Sequence, residues 1–132
     1  MIGLDTNILI RMLVQDDPVQ VARVEQLVDS LSMAWPSYIS HVTLTELVWV
    51  LTSRYRYSRV QIADSLELLL RAIGLKIEQA DVIWNVLQAY RESNADFADL
   101  LIERDCAAAG CEYTLTFDVD SSKRTGMRLL LR

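Results

Sequence analysis

The stretch Met1-Ile-Gly-Leu-Asp5-Thr6-Asn7 restricts this chain more than any other. A short apolar run meets an acid and two small polar residues, directly before a helix-like segment over 8–14. Such a run reads as a buried strand that delivers Asp5 to its carboxyl end, the edge where open α/β sheets place their ligands. The pattern then recurs. Residues 37–40 form a strand-like run before a helix over 41–55, and Leu75-Lys-Ile77 precedes a helix over 81–93. The β-rich run 113–117 leads into Asp118, and 127–131 could add a final edge strand. Strands alternating with helices imply an α/β chain with a mainly parallel sheet covered on both faces.

The helix boundaries carry their own signals. Asp16-Asp17-Pro18 stops one helix and restarts another, because Pro18 suits a first turn. Over 19–31, Val21, Val24, Leu27, Val28 and Leu31 recur at helical spacing and predict a buried stripe. Ser58 is placed to cap a helix over 58–72 that Gly74 ends. Val82, Val86, Leu87 and Tyr90 share one face of the helix over 81–93, and Gly110 closes a helix over 96–109.

At 132 residues, the simplest organisation is a single domain over 1–132. A 52% apolar content argues against disorder. No run approaches the roughly 20 apolar residues of a membrane span, and no basic region precedes Asp5 as in a secretory signal. A cytoplasmic protein without membrane attachment is therefore expected. In that compartment Cys106 and Cys111 are expected as buried free thiols near a helix end, since a metal site would find only His41 as a further soft ligand.

The net charge of −5 argues against a broad electrostatic grip on nucleic acid. Distribution qualifies that. All the basic residues except Lys76 and Lys123 are arginine, the better phosphate ligand, and they cluster in Arg54-Tyr-Arg-Tyr-Ser-Arg59 and again over 123–132. An acidic focus with basic margins would suit cations at the centre and phosphates around them; solvated helix faces are the plainer alternative.

Four carboxylates stand out. Asp5 and Asp118 each follow a strand-like run, so a parallel sheet would bring them to the same edge, although acids there also cap helices. Glu46 is the only ionisable residue between His41 and Arg54. Leu44, Leu47, Val48 and Leu51 line one side of its helix and Val42, Trp49 and Val50 the other, so the helix reads as covered all round. A lone buried carboxylate there needs a cation or donors. Asp96 and Asp99 open the last long helix, where Asp96 as cap and Asp99 three residues on resemble a capping box. Carboxylates gathered in one pocket would repel unless their pKa values rose or a divalent ion bound, and oxygen-only ligands favour Mg²⁺ or Mn²⁺ over Zn²⁺.

Leu4-Asp5-Thr6-Asn7, Thr45-Glu46-Leu-Val-Trp49-Val-Leu51, Ala95-Asp96-Phe-Ala-Asp99-Leu-Leu-Ile102 and Leu115-Thr116-Phe117-Asp118 appear in the order and spacing of the PIN-domain nucleases. The chain resembles that family, and within it the VapC-type toxins of toxin–antitoxin pairs. The resemblance implies a three-layer α/β/α sandwich, Mg²⁺- or Mn²⁺-dependent cleavage of RNA, homodimerisation and inhibition by a cognate antitoxin protein. Carried over by position, Asp5, Glu46, Asp99 and Asp118 would be the catalytic, metal-holding acids. Asp96 and Asp120 would be accessory acids, and Thr6, Asn7 and Thr116 would orient carboxylates or nucleophile. On that reading water attacks in line and leaves 5′-phosphate and 3′-hydroxyl ends. Arg54, Arg56, Arg59, Lys123 and Arg124 are candidate phosphate contacts, and Tyr55 or Tyr57 could stack on bases, though core packing suits them as well.

Two other readings compete. Phe117-Asp118-Val-Asp120-Ser after a β-rich run is similar to the nucleophile motif of haloacid-dehalogenase-like phosphohydrolases, but its position so near residue 132 leaves no room for the later residues that fold needs. A non-catalytic binding module could use the same acids to hold a structural ion.

Overall fold

The computed structural model describes residues 1–32 and 34–130. Its residues fall into two compact units, Met1–Ala80 and Asp81–Arg132.

In the first unit the order is β1 (Ile2–Gly3), α1 (Thr6–Leu13), α2 (Pro18–Ser30), β2 (Ser37–Ile39), α3 (His41–Ser53), α4 (Arg59–Arg71) and β3 (Leu75–Ile77). The strands form a parallel sheet in the order β1-β2-β3, with Gly3 opposite Tyr38 and Ile39 opposite Ile77. β1 is an exposed edge strand rather than the buried one its apolar run suggests. Ile2 is 53% exposed, and burial begins only at Leu4, whose N–H donates to the Tyr38 carbonyl. An edge strand has a neighbour on one side only, which leaves its first residues to solvent.

Local chemistry sets most boundaries as expected. Asp17 caps α2 through the Gln20 N–H with Pro18 in the first turn. Ser58 and Gln61 form a reciprocal capping box at α4. Gly74 adopts φ +86°, and a Cβ there would lie 2.8 Å from Leu31 Cβ, so the turn into β3 requires glycine. Leu9, Ile39, Leu44, Leu47, Leu51, Ile62, Leu66 and Leu69 are buried. α1 packs on α2 and α3, α3 on α4, and α4 on β3. The expected stripe on α2 is thinner than its spacing suggests: Val24 is buried, while Val28 is exposed.

The second unit carries α5 (Ala80–Glu92), α6 (Phe97–Ala108), β4 (Leu115–Thr116), α7 (Val119–Arg124) and β5 (Arg128–Leu129). α5 buries Ile83, Val86, Leu87 and Tyr90, with Ile83 taking the place expected for Val82. The Tyr90 and Phe97 rings meet at 6.2 Å, tilted by 56°. β4 and β5 pair in parallel as a separate two-stranded ladder, Leu115 opposite Arg128. Of the expected final strand, Leu131 lies outside the described residues, as does Arg132 of the basic tail. Between the two strands runs α7, a helix too short and polar to be seen as periodicity. Cys106 and Cys111 are free, but Cys106 is half-buried and Cys111 exposed, because the end of α6 projects into solvent.

Candidate active site

The acids of the first unit follow from its strand ends. Asp5 is the N-cap of α1, its Oδ1 accepting the Thr6 N–H at 2.7 Å. It is exposed, Thr6 behind it is buried and Asn7 is exposed. On the neighbouring strand Ser40 caps α3 through the Thr43 N–H at 3.2 Å. α3 then presents Glu46, and here the structure corrects the sequence reading. Leu44, Leu47, Val48 and Leu51 are buried, but Glu46 is exposed beside Val42 at 77% and Trp49 at 65% exposure. The helix is covered on one side only, so Glu46 needs no compensating partner, and among the described residues it makes no ion pair.

In the second unit Asp96 is the N-cap of α6, its Oδ2 accepting the Asp99 N–H at 3.3 Å. A capping-box acid at Asp99 would reach back to the Asp96 N–H. Asp99 instead turns its Oδ2 to the Ser121 hydroxyl, which donates at 2.7 Å. Asp118 caps α7, and its Oδ1 accepts the N–H groups of Asp120 at 2.9 Å and Ser121 at 3.1 Å. The Thr116 hydroxyl accepts the Asp118 N–H at 3.0 Å, bracing that acid from the strand side. Asp99 and Asp118 are thus brought onto one residue, Ser121, which sequence reasoning missed. Asp120 is exposed on the first turn of α7.

Taken unit by unit, the carboxylates are of the kind a hard divalent ion takes. Asp5, Asp99 and Asp118 each have one oxygen oriented by an N–H or O–H donor, while among the described residues their other oxygens accept no hydrogen bond. Oriented carboxylates with such oxygens are what Mg²⁺ and Mn²⁺ take as ligands. Neither unit gathers three His, Cys, Asp or Glu side chains into a metal-holding group among its described residues. His41 is held by Glu78: its Nε2 lies 2.6 Å from the Glu78 carbonyl oxygen, which only accepts, so that ring nitrogen is the donor, and the His41 backbone N–H donates to Glu78 Oε1 at 2.9 Å.

Of the candidate RNA contacts, Arg54, Arg56, Lys123 and Arg124 are exposed and Arg59 is half-buried. Arg124 donates to the Asn94 carbonyl at 3.3 Å. Tyr55 is tied down through its hydroxyl, which donates to Asp16 Oδ2 at 3.0 Å. Arg11 donates to Asp16 Oδ1 at 2.8 Å, and its pKa is raised above the ordinary arginine value, chiefly by the hydrogen bond with Tyr55. A cavity of about 310 Å³ lies among α1, α2 and α4, lined by Met12, Val21, Val24, Val28 and Leu68 with Arg11 at its rim, and no candidate acid borders it.

Helices alternating with parallel strands, with acids set at strand ends and helix starts, define an α/β protein. The PIN domain model matches residues 2–126 and runs through both units. The chain belongs to the PIN-domain family, a nuclease fold whose members are generally metal-dependent, and its helices and parallel strands fit the family's three-layer α/β/α architecture. A search of curated proteins returns no match. Among the described residues no helix is long and apolar enough to cross a membrane.

Proposed function

We propose that this PIN-domain protein is a Mg²⁺- or Mn²⁺-dependent endoribonuclease with Asp5, Glu46, Asp99 and Asp118 as its catalytic acids. The observation that carries the reading is the joint fixing of Asp99 and Asp118 by Ser121, which orients two acids distant in sequence and leaves each an oxygen without a protein donor. The bonds to Asp118 are those of a helix cap, but Asp99 Oδ2 caps nothing, and the Ser121 hydroxyl it accepts serves only to orient it.

When bound, a divalent ion supplies Lewis acidity at the phosphodiester and lowers the pKa of water. The chain's own residues do the rest. Asp5, Asp99 and Asp118 present oriented carboxylates, Glu46 contributes from α3, and Thr116 and Ser121 hold the acids of the second unit in place. Asp96 and Asp120 act as accessory acids. Arg54, Arg56 and Lys123 are exposed and free to meet backbone phosphates. Hydrolysis in line leaves 5′-phosphate and 3′-hydroxyl ends. The resemblance to VapC-type toxins extends the reading to a cytoplasmic, homodimeric toxin silenced by an antitoxin.

The test is purified protein and its Asp5→Asn variant, each incubated with structured and single-stranded RNA in Mg²⁺ or Mn²⁺, with a chelator control. Wild-type cleavage that chelator and substitution both abolish is the expected result. Equal cleavage by the two proteins refutes it. Metal-dependent stability without cleavage would instead establish the binding-module reading.

A further inference from the structure

Helical serines in this chain generally turn their hydroxyls back on their own helix. Ser30 donates to the Leu27 carbonyl, Ser53 to Trp49, Ser65 to Gln61 and Ser122 to Val119. That is the ordinary local habit of serine. Ser121 departs from it. Only 6% exposed, it sends its hydroxyl across to Asp99 Oδ2 on α6. A carboxylate only accepts, so the single hydroxyl proton is committed to Asp99. The Ser121 N–H meanwhile donates to Asp118 Oδ1, and its carbonyl accepts both the N–H of Thr125 at 2.9 Å and the Thr125 hydroxyl at 2.7 Å. Every polar group of one buried residue is engaged, two of them on candidate metal acids.

We propose that Ser121 is a positioning residue that sets the mutual orientation of the Asp99 and Asp118 carboxylates for divalent-cation binding. The inference rests on the proposed function above. With Oδ2 of Asp99 and Oδ1 of Asp118 both referred to Ser121, neither carboxylate rotates freely, and each turns its remaining oxygen to a defined direction. Partners that orient metal ligands in this way typically govern affinity by 10- to 100-fold. Removing the hydroxyl alone frees Asp99 while leaving the backbone donor to Asp118 in place.

The experiment is calorimetric titration of Mn²⁺ into the full chain as wild type, Ser121→Ala, Ser121→Thr and Asp99→Asn, with RNA cleavage followed across Mn²⁺ concentrations. Ser121→Ala is expected to weaken Mn²⁺ about 10-fold or more, to raise the Mn²⁺ needed for half-maximal cleavage in step, and to leave the RNA KM at saturating Mn²⁺ unchanged. Ser121→Thr, which keeps the hydroxyl, restores affinity. If Ser121→Ala binds like wild type while Asp99→Asn does not, the Ser121 inference is overturned and the function stands. If Asp99→Asn also binds like wild type, the underlying reading fails with it. Should Ser121→Ala not fold by circular dichroism, the isosteric Thr and Val variants decide: weaker binding by Val supports the role, and equal binding overturns it.

Discussion

The Tyr55 hydroxyl donates to Asp16 Oδ2 at 3.0 Å, fastening the arginine-bearing segment after α3 to the turn between α1 and α2. Arg11 closes the arrangement from the other side of the same carboxylate. Tyr55→Phe keeps the ring and removes the donor. It should destabilise the fold by about 0.5–1.5 kcal/mol, measured by urea unfolding. If Tyr55 stacked on bases instead, the same variant would leave stability untouched.

The capping and metal roles of the acids separate by choice of substitution. Asn caps a helix nearly as well as Asp, whereas Ala loses the cap at about 1 kcal/mol. Asp5→Asn and Asp118→Asn should therefore melt close to wild type yet lose RNA cleavage, and the Ala variants should lose both. Thermal melts beside cleavage assays read the difference.

Water as nucleophile makes the substrate 2′-hydroxyl dispensable. Cleaved RNA should carry 5′-phosphate and 3′-hydroxyl termini, and a 2′-deoxy substitution at the scissile nucleotide should leave cleavage intact. Mass spectrometry showing 2′,3′-cyclic phosphate would sink the hydrolytic scheme.

Gly74 stands at φ +86° against Leu31 and the Ser32 amide. Gly74→Ala combines an unfavourable backbone conformation with a clash against backbone, and should cost at least about 1–3 kcal/mol. Calorimetric melting checks it.

The two sides of α3 should respond oppositely to truncation. Leu47 is fully buried, so Leu47→Ala should cost about 2–5 kcal/mol. Val42→Ala, on the exposed side with Glu46, should change stability by no more than about 0.5 kcal/mol. A large loss at Val42, measured by denaturant unfolding of the monomer, would return that face to the core.

That contrast shows where sequence reasoning reached its limit. Boundaries set by local chemistry were legible: Asp17-Pro18, Ser58, Gly74 and Gly110 each act through groups a few residues away. The order of the strands and the longer helices was legible for the same reason, whereas α7 was not. What covers an apolar face is a tertiary matter, and a helix apolar on two sides, as around Glu46, does not reveal which side meets the core. β1 misled similarly, because an apolar composition does not distinguish an edge strand from a central one. The acids at 5, 96, 99 and 118 could be placed at strand ends and helix starts from their flanks. Ser121 could not, since a hydroxyl committed to another helix leaves no periodic trace.

The link between β4 and β5 is short for parallel strands. Parallel neighbours demand a crossover, commonly a dozen residues or more, and here the strand pairing is closed by little more than α7 and its flanking turns. The crossover has almost no slack, and Asp118, Asp120 and Ser121 are part of it. Insertions or deletions between 117 and 127, harmless in most surface connections, would here break the ladder and scatter the acids together, so this segment should tolerate exchange of residues far better than any change in length.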